Sequence, residues 1–164
     1  MYFQKLVEIV VHAGIREPIQ LLLVSRRFPA ALVLTYTGIN TMAFLNLPEE
    51  RSDVLRSDFI QWSERYLHLN TVERIAGQHL YAARCSALHG GAPSRLARSL
   101  NHDPMSAVTA EDLATSFFTA IEVFFADVRT SGVRPRIVQQ RLEQLAAAMP
   151  YEGIAGQSGS SIGL

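Results

Sequence analysis

The chain has 164 residues, 15 basic and 15 acidic side chains, 48% hydrophobic content and 18% charged content. At this length a chain buries roughly 70% of the surface its unfolded form exposes, so one domain can fold without disulfides or a structural metal. The single cysteine, Cys85, excludes a disulfide framework within the chain and a thiolate zinc cluster, and zero net charge is a poor basis for gripping a long duplex by bulk electrostatics.

Helical spacing runs along almost the whole sequence. Leu6, Ile9, Val10 and Ala13 predict an amphipathic helix over about Tyr2–Ala13, weakened at Gly14. Pro18 suits the first turn of a second helix, whose apolar face continues through Ile19, Leu22 and Leu23 to Arg26 and Arg27. No basic, apolar and small-residue leader pattern opens the sequence, and with Cys85 this leads us to expect a cytoplasmic protein.

From Phe28 to Pro48 no residue is charged, a run about as long as a membrane span. Thr35, Thr37, Asn40, Thr41 and Asn46 spread polar groups along it, and Gly38 sits in its middle. The segment therefore reads as a surrounded central helix following Pro29, and no membrane association is expected. Val33, Thr35, Tyr36 and Thr37 form a β-prone patch inside it, outweighed by its length and its Ala, Leu and Met content.

Leu55, Phe59, Trp62 and Tyr66 recur at helical intervals and define one continuous stripe, widened by Ile60 and Leu67. Asn70 and Glu73 have capping-box spacing, interrupted by Gly77. A helix is predicted from about Gln78 to His89, ended by Gly90, Gly91 and Pro93. The segment from there to Met105 has no sustained period and reads as a long loop. Leu113, Phe117, Ile121, Phe124 and Val128 mark the next helix, which Phe118 and Phe125 make apolar almost all round. Val138, Leu142, Leu145 and Met149 mark the last one. The expectation is an all-α, single-domain bundle of five to six helices over residues 1–150, with residues 151–164 a disordered tail. Its most buried helices should be Ala30–Leu45 and Asp112–Val128.

Arg84 stands out chemically. Leu80 and Tyr81 lie one turn before it and Ala87 and Leu88 one turn after, so it projects from an apolar stripe. A guanidinium there must pair with a carboxylate or face a subunit or ligand interface, because an unpaired buried charge is costly. His89 follows five residues later, where the helix is about to end in two glycines. An imidazole can move protons near neutral pH, and an adjacent guanidinium can stabilise charge developing on phosphate oxygens.

The segment Leu80, Tyr81, Ala82, Ala83, Arg84, Cys85, with Leu88 and His89, resembles the Arg, four residues, His motif of the HEPN superfamily (higher eukaryote and prokaryote nucleotide-binding domains). The flanks resemble it too: a helix like Ala31–Leu45 and a Phe-Ile-x-Trp segment like Phe59–Trp62, the likeness covering roughly Phe28–Leu100. The resemblance implies a small helical bundle that dimerises, its paired arginines and histidines forming a cleft that cleaves RNA without metal. It implies that Arg84 stabilises the scissile phosphate and His89 serves as general base or acid while a ribose 2′-hydroxyl attacks, leaving a 2′,3′-cyclic phosphate. Toxin and defence roles, sometimes with an antitoxin or other regulatory partner, are common in such proteins, and other members are silent binding or scaffold modules. Cys85 stands where active members often have Asn, Asp or His, and Gly91 where antitoxin-paired members often have tyrosine.

Arg95 and Arg98 extend the positive charge past Arg84, with no acid before Asp103, and can position an RNA backbone or serve as ordinary surface arginines. His79, His89, His102 and Asp103 lack the tight spacing of a zinc site, and Gly90-Gly91 lacks the Lys-Ser or Lys-Thr of a phosphate loop, so no metal or cofactor is expected. Two readings stay open: a homodimeric HEPN-type endoribonuclease, or a catalytically silent helical module in which Arg84 holds an interface together.

Overall fold

A computed structural model describes residues 2–70, 75–88 and 104–149. Helix α1 (Tyr2–Val7) passes without a break into a π-helical stretch (Glu8–Arg16) and then α2 (Glu17–Val24). It is followed by α3 (Phe28–Leu45), α4 (Arg56–Tyr66), α5 (Gly77–Leu88), a 3-10 turn (Pro104–Ala107), α6 (Ala110–Thr130) and α7 (Arg134–Ala148). Counting the N-terminal rod as one, six helices form an all-helical bundle, with no strand among the described residues.

The rod corrects the expected break at Gly14. Pro18 has no N–H to offer the Gly14 carbonyl and its ring crowds that carbonyl, so the turns ahead of it widen, and Glu17 donates its N–H five residues back to the His12 carbonyl. Wider turns move the buried face. Val7, Val11, Ile15 and Ile19 point inward at intervals of four, while Ala13, expected on the stripe, is exposed. The rod ends in a Schellman-type turn with Arg26 at φ 55°, the Arg26 and Arg27 N–H groups closing on the carbonyls of Leu23 and Leu22.

Helix α3 is the axis of the bundle and packs on the rod, α4, α5, α6 and α7. It is long and apolar enough to cross a membrane by length and composition alone, but here its apolar side chains line a protein core. Gly38 permits that. A Cβ at this position would lie 2.7 Å from a Phe117 ring carbon and 2.8 Å from Ile15 Cγ2, so only glycine lets α6 and the rod approach α3 this closely. The α3 and α6 helices carry the largest sets of buried residues, as expected, including Ile39, Met42, Leu113, Phe117, Ile121 and Phe124. The covering of α3 is incomplete: Thr37 is exposed, and Val33, Asn40, Thr41 and Phe44 are half-buried along one strip.

On α4, Phe59, Trp62 and Tyr66 are buried, but Leu55 is the N-cap residue and 55% exposed, so the predicted stripe begins one turn late. Trp62 sits in an aromatic cluster with Tyr66, Phe117 and Phe124, its ring 5.4–6.2 Å from theirs. Thr109 caps α6 through a reciprocal pattern: its hydroxyl accepts from the Asp112 N–H at 3.1 Å, and the Asp112 carboxylate accepts from the Thr109 N–H at 3.3 Å. The proposed Asn70–Glu73 cap, the Gly90, Gly91 and Pro93 helix stop, most of the loop up to Met105, and the 151–164 tail involve residues outside those described.

Candidate functional site

Helix α5 is clamped to α4 at its start. The Gly77 N–H donates to the Glu64 carboxylate at 3.2 Å, and a Cβ on Gly77 would lie 2.8 Å from the Ile60 carbonyl oxygen. This close crossing seats the next turn: Leu80 is buried and Tyr81 packs edge-on against Phe59, ring centroids 5.6 Å apart. One turn further, the Arg84 guanidinium lies over both rings, 5.6 Å from the Phe59 centroid and 5.5 Å from that of Tyr81. Arg56, at the start of α4, lies over the same Tyr81 ring at 5.5 Å.

Arg84 therefore does occupy the apolar side of its helix. The first of the expected solutions is not met among the described residues: no carboxylate lies within 4.0 Å of it, and its Nε–H is buried without an acceptor. Two aromatic faces stabilise a guanidinium by about 0.5–1 kcal/mol each, while an unmet buried donor costs about 1–3 kcal/mol. The arrangement is close to neutral for folding at best, and the cation has no anionic partner among the described residues.

Beside Arg84 opens a groove of about 410 Å³. The half-buried strip of α3 supplies Asn40, Thr41 and Phe44, the loop before α4 supplies Ser52, Asp53 and Val54, and α7 supplies Leu145. The Thr41 hydroxyl donates to the Thr37 carbonyl at 3.1 Å and that of Ser52 to Asp53 at 3.1 Å. The Asn40 amide has no hydrogen-bond partner among the described residues.

His89 follows the last residue of α5 directly and lies outside the described residues, as do Arg95, Arg98, His102 and Asp103. His79 is half-buried with an unpartnered Nδ1, and five residues from Arg84 it leaves α5 on a different face. No group of three His, Cys, Asp or Glu side chains capable of holding a metal occurs among the described residues. Cys85 is a free, half-buried thiol.

Two further arginines show what a structural solution looks like in this fold. Arg141 is only 5% exposed and donates to the carbonyls of Phe44, Pro48 and Arg51 at 2.7, 2.6 and 2.8 Å, its guanidinium 4.8 Å from the Phe44 ring centroid. Burial, together with nearby Arg51, pushes it below the ordinary arginine value, but it stays charged and closes the C-terminal end of α3 against the following loop. Arg134 donates to Asp127 at 3.0 Å, to the Tyr66 hydroxyl at 2.9 Å and to the Asn46 side chain. The Tyr66 hydroxyl in turn donates to Asp127 at 2.5 Å, and Arg65 pairs with the same carboxylate at 2.9 Å. Burial, reinforced by the bond to Asp127, pushes the Tyr66 phenol up, against the opposing arginines. The Tyr66 bond more than any other contact holds Asp127 below the usual carboxylate range, helped by Arg134 and Arg65 and opposed by burial. A carboxylate so fully occupied and so weakly basic is suited to tying α3, α4, α6 and α7 together rather than to accepting a proton.

Sequence reasoning found Arg84 but missed its seat and the groove. Tyr81, three residues before it, was legible as a neighbour; Phe59, Asn40 and Asp53 come from other elements and carried no local signal. Arg141 did carry one, since it lies between Val138 and Leu142 on the last apolar stripe. Comparison of the chain with protein families, curated proteins and solved structures returns no match.

Proposed function

We propose that the chain is a metal-independent endoribonuclease of the HEPN type, acting on single-stranded or loop RNA as a homodimer with a composite site, in a toxin or defence setting. The observation that supports it most is Arg84: a guanidinium positioned by Phe59 and Tyr81, without a carboxylate among the described residues, at the edge of a polar groove. Arg134 and Arg141 each make three hydrogen bonds, whereas Arg84 makes none among the described residues and leaves its Nε–H unmet. A lock between Arg84 and an acid of its own chain would favour the silent-module reading, and no such pair occurs among the described residues.

In this reading the ribose 2′-oxygen attacks phosphorus as its proton passes to one His89 imidazole. The bond from phosphorus to the 5′-oxygen breaks, and the leaving oxygen takes a proton from the second copy's imidazolium. Arg84 stabilises the charge that builds on the non-bridging oxygens, and Arg95 and Arg98 hold the flanking backbone. The products are a 2′,3′-cyclic phosphate and a 5′-hydroxyl. Purified full-length chain in EDTA should cut single-stranded RNA with those ends, and His89→Ala should slow cleavage by roughly 10²- to 10⁴-fold. Cleavage that persists unchanged in both His89→Ala and Arg84→Ala would remove the reading. Sedimentation should give a dimer at micromolar concentration, and a monomer at high micromolar concentration contradicts the composite site.

A further inference from the structure

We infer that Arg56 and Arg84 together form a backbone clamp for a single-stranded nucleic acid, the two guanidiniums taking neighbouring phosphates. That the strand is RNA rests on the ribonuclease reading; the pairing of the two arginines rests on the packing of α4 and α5. Arg56 and Arg84 come from different helices and lie over the same ring, each guanidinium carbon 5.5 Å from the Tyr81 centroid. They therefore stand no more than twice that distance apart, within the reach of two phosphates joined by one nucleotide. Neither makes an ion pair or a hydrogen bond among the described residues. Like charges gathered on one ring repel, and anions bound at both turn that repulsion into attraction.

The ring contact is all that Arg56 contributes to the fold. It is exposed and is the first residue of α4, where a cation meets the positive end of the helix dipole. Asp58, the acid of that first turn, is committed to Arg51 and to the Leu55 N–H, the latter at 2.8 Å. Its place beside Arg84 gives Arg56 a use. The loop residues Ser52, Asp53 and Val54, which line the groove with Arg84, lead through Leu55 directly into α4, so Arg56 continues the basic edge that Arg84 begins. A ring shared by two guanidiniums positions both without neutralising either and leaves N–H groups of both for phosphate oxygens. Arg84 keeps the scissile phosphate in this arrangement, and Arg56 is a positioning residue for the phosphate next to it.

The test is anisotropy titration of the full-length chain with single-stranded 2′-O-methyl RNA, whose blocked 2′-oxygen cannot attack, over a series of salt concentrations. Each phosphate contact on a single strand contributes about 0.7 to the slope of log affinity against log salt. Arg56→Gln and Arg84→Gln should each lower that slope by about 0.7, and the double variant should lose both contributions. Arg129→Gln removes another exposed arginine, on α6, and should leave the slope unchanged. In cleavage of unmodified RNA, Arg56→Gln should raise KM several-fold with kcat within about twofold, whereas Arg84→Gln should lower kcat. A slope unchanged by Arg56→Gln in protein with unchanged circular dichroism, a slope lowered as much by Arg129→Gln, or no binding at high micromolar protein each overturn the inference. The two readings separate cleanly. Arg84-dependent cleavage with slope and KM indifferent to Arg56→Gln keeps the nuclease and removes the clamp. Binding that depends on both arginines in a protein that never cuts RNA keeps the clamp and removes the nuclease.

Discussion

Arg84 and Arg141 both sit on the apolar stripe of a helix and both lie over aromatic rings, yet the two regions are built to opposite ends. Arg141 on α7 is enclosed and spends its donors on three main-chain carbonyls from the end of α3 and the loop after it. Arg84 on α5 rests, among the described residues, on Phe59 and Tyr81, with one buried N–H unmet and a groove beside it. Arg134 is intermediate, with a carboxylate, a phenol and an amide as partners and the Phe124 ring 5.3 Å from its guanidinium. A ring holds a guanidinium in place without neutralising it, whereas carbonyls and carboxylates satisfy it. Stacking is common to all three arginines, and what closes the Arg134 and Arg141 joints is the hydrogen bonds added to it.

The comparison is broken most severely at Arg141. Replacement by Met keeps the stem's packing but strands three carbonyls, two of them bonded by one nitrogen, and should cost about 3–5 kcal/mol, seen as a fall in melting temperature of about 10 °C or more. Next in size is the Asp127 joint. Asp127→Asn should cost about 1–3 kcal/mol, because three charge-assisted bonds weaken together at a partly solvated site. Its pH signature follows from the shifts at Asp127 and Tyr66. Asp127 is held low in the fold, so its contribution is present above the unfolded carboxylate value near 4 and disappears as pH falls through the folded value. Tyr66 is pushed up in the fold, so its contribution is intact below about pH 10 and fades as pH rises through the folded value. Melting curves across pH should therefore lose their acid-side slope selectively in Asp127→Asn and their alkaline slope in Tyr66→Phe.

A smaller loss is expected at Gly38. Its Cβ contacts of 2.7–2.8 Å with Phe117 and Ile15 make Ala overpack the centre of the bundle. The strain of about 1–3 kcal/mol is offset in part by the roughly 1 kcal/mol that Ala gains over Gly in helix propensity, leaving a net cost of about 0–2 kcal/mol by denaturant titration. The smallest stability effect belongs to Arg84→Met. Loss of two ring contacts and relief of one unmet N–H nearly cancel, so the change should stay within about 1 kcal/mol.

The helical architecture was legible because periodicity and uncharged stretches report burial directly. Phe117, Ile121, Phe124 and Val128 on α6 needed no knowledge of their neighbours. The rod was misread because Pro18 changed the turn, and with it the period that assigns Ala13 outward and Ile15 inward. The arginines mark a second limit. Arg84 and Arg141 carry the same local signal, an arginine among apolar neighbours at helical spacing, and what separates them lies elsewhere in the chain: Phe59 for one, the carbonyls of Phe44, Pro48 and Arg51 for the other. Main-chain carbonyls leave no mark in a sequence, so a satisfied arginine and an available one look alike until the helices are packed.

The most direct test sets the two arginines against each other in one assay. Cleavage of single-stranded RNA in EDTA and thermal melting are measured side by side for the wild type, Arg84→Lys and Arg141→Lys, each below its own melting temperature. The account predicts that Arg84→Lys loses roughly 10²- to 10³-fold in cleavage rate with its melting temperature nearly unchanged, while Arg141→Lys melts several degrees lower and cleaves at close to the wild-type rate. Cleavage unaffected by Arg84→Lys, or a melting temperature that falls as far in Arg84→Lys as in Arg141→Lys, would contradict it.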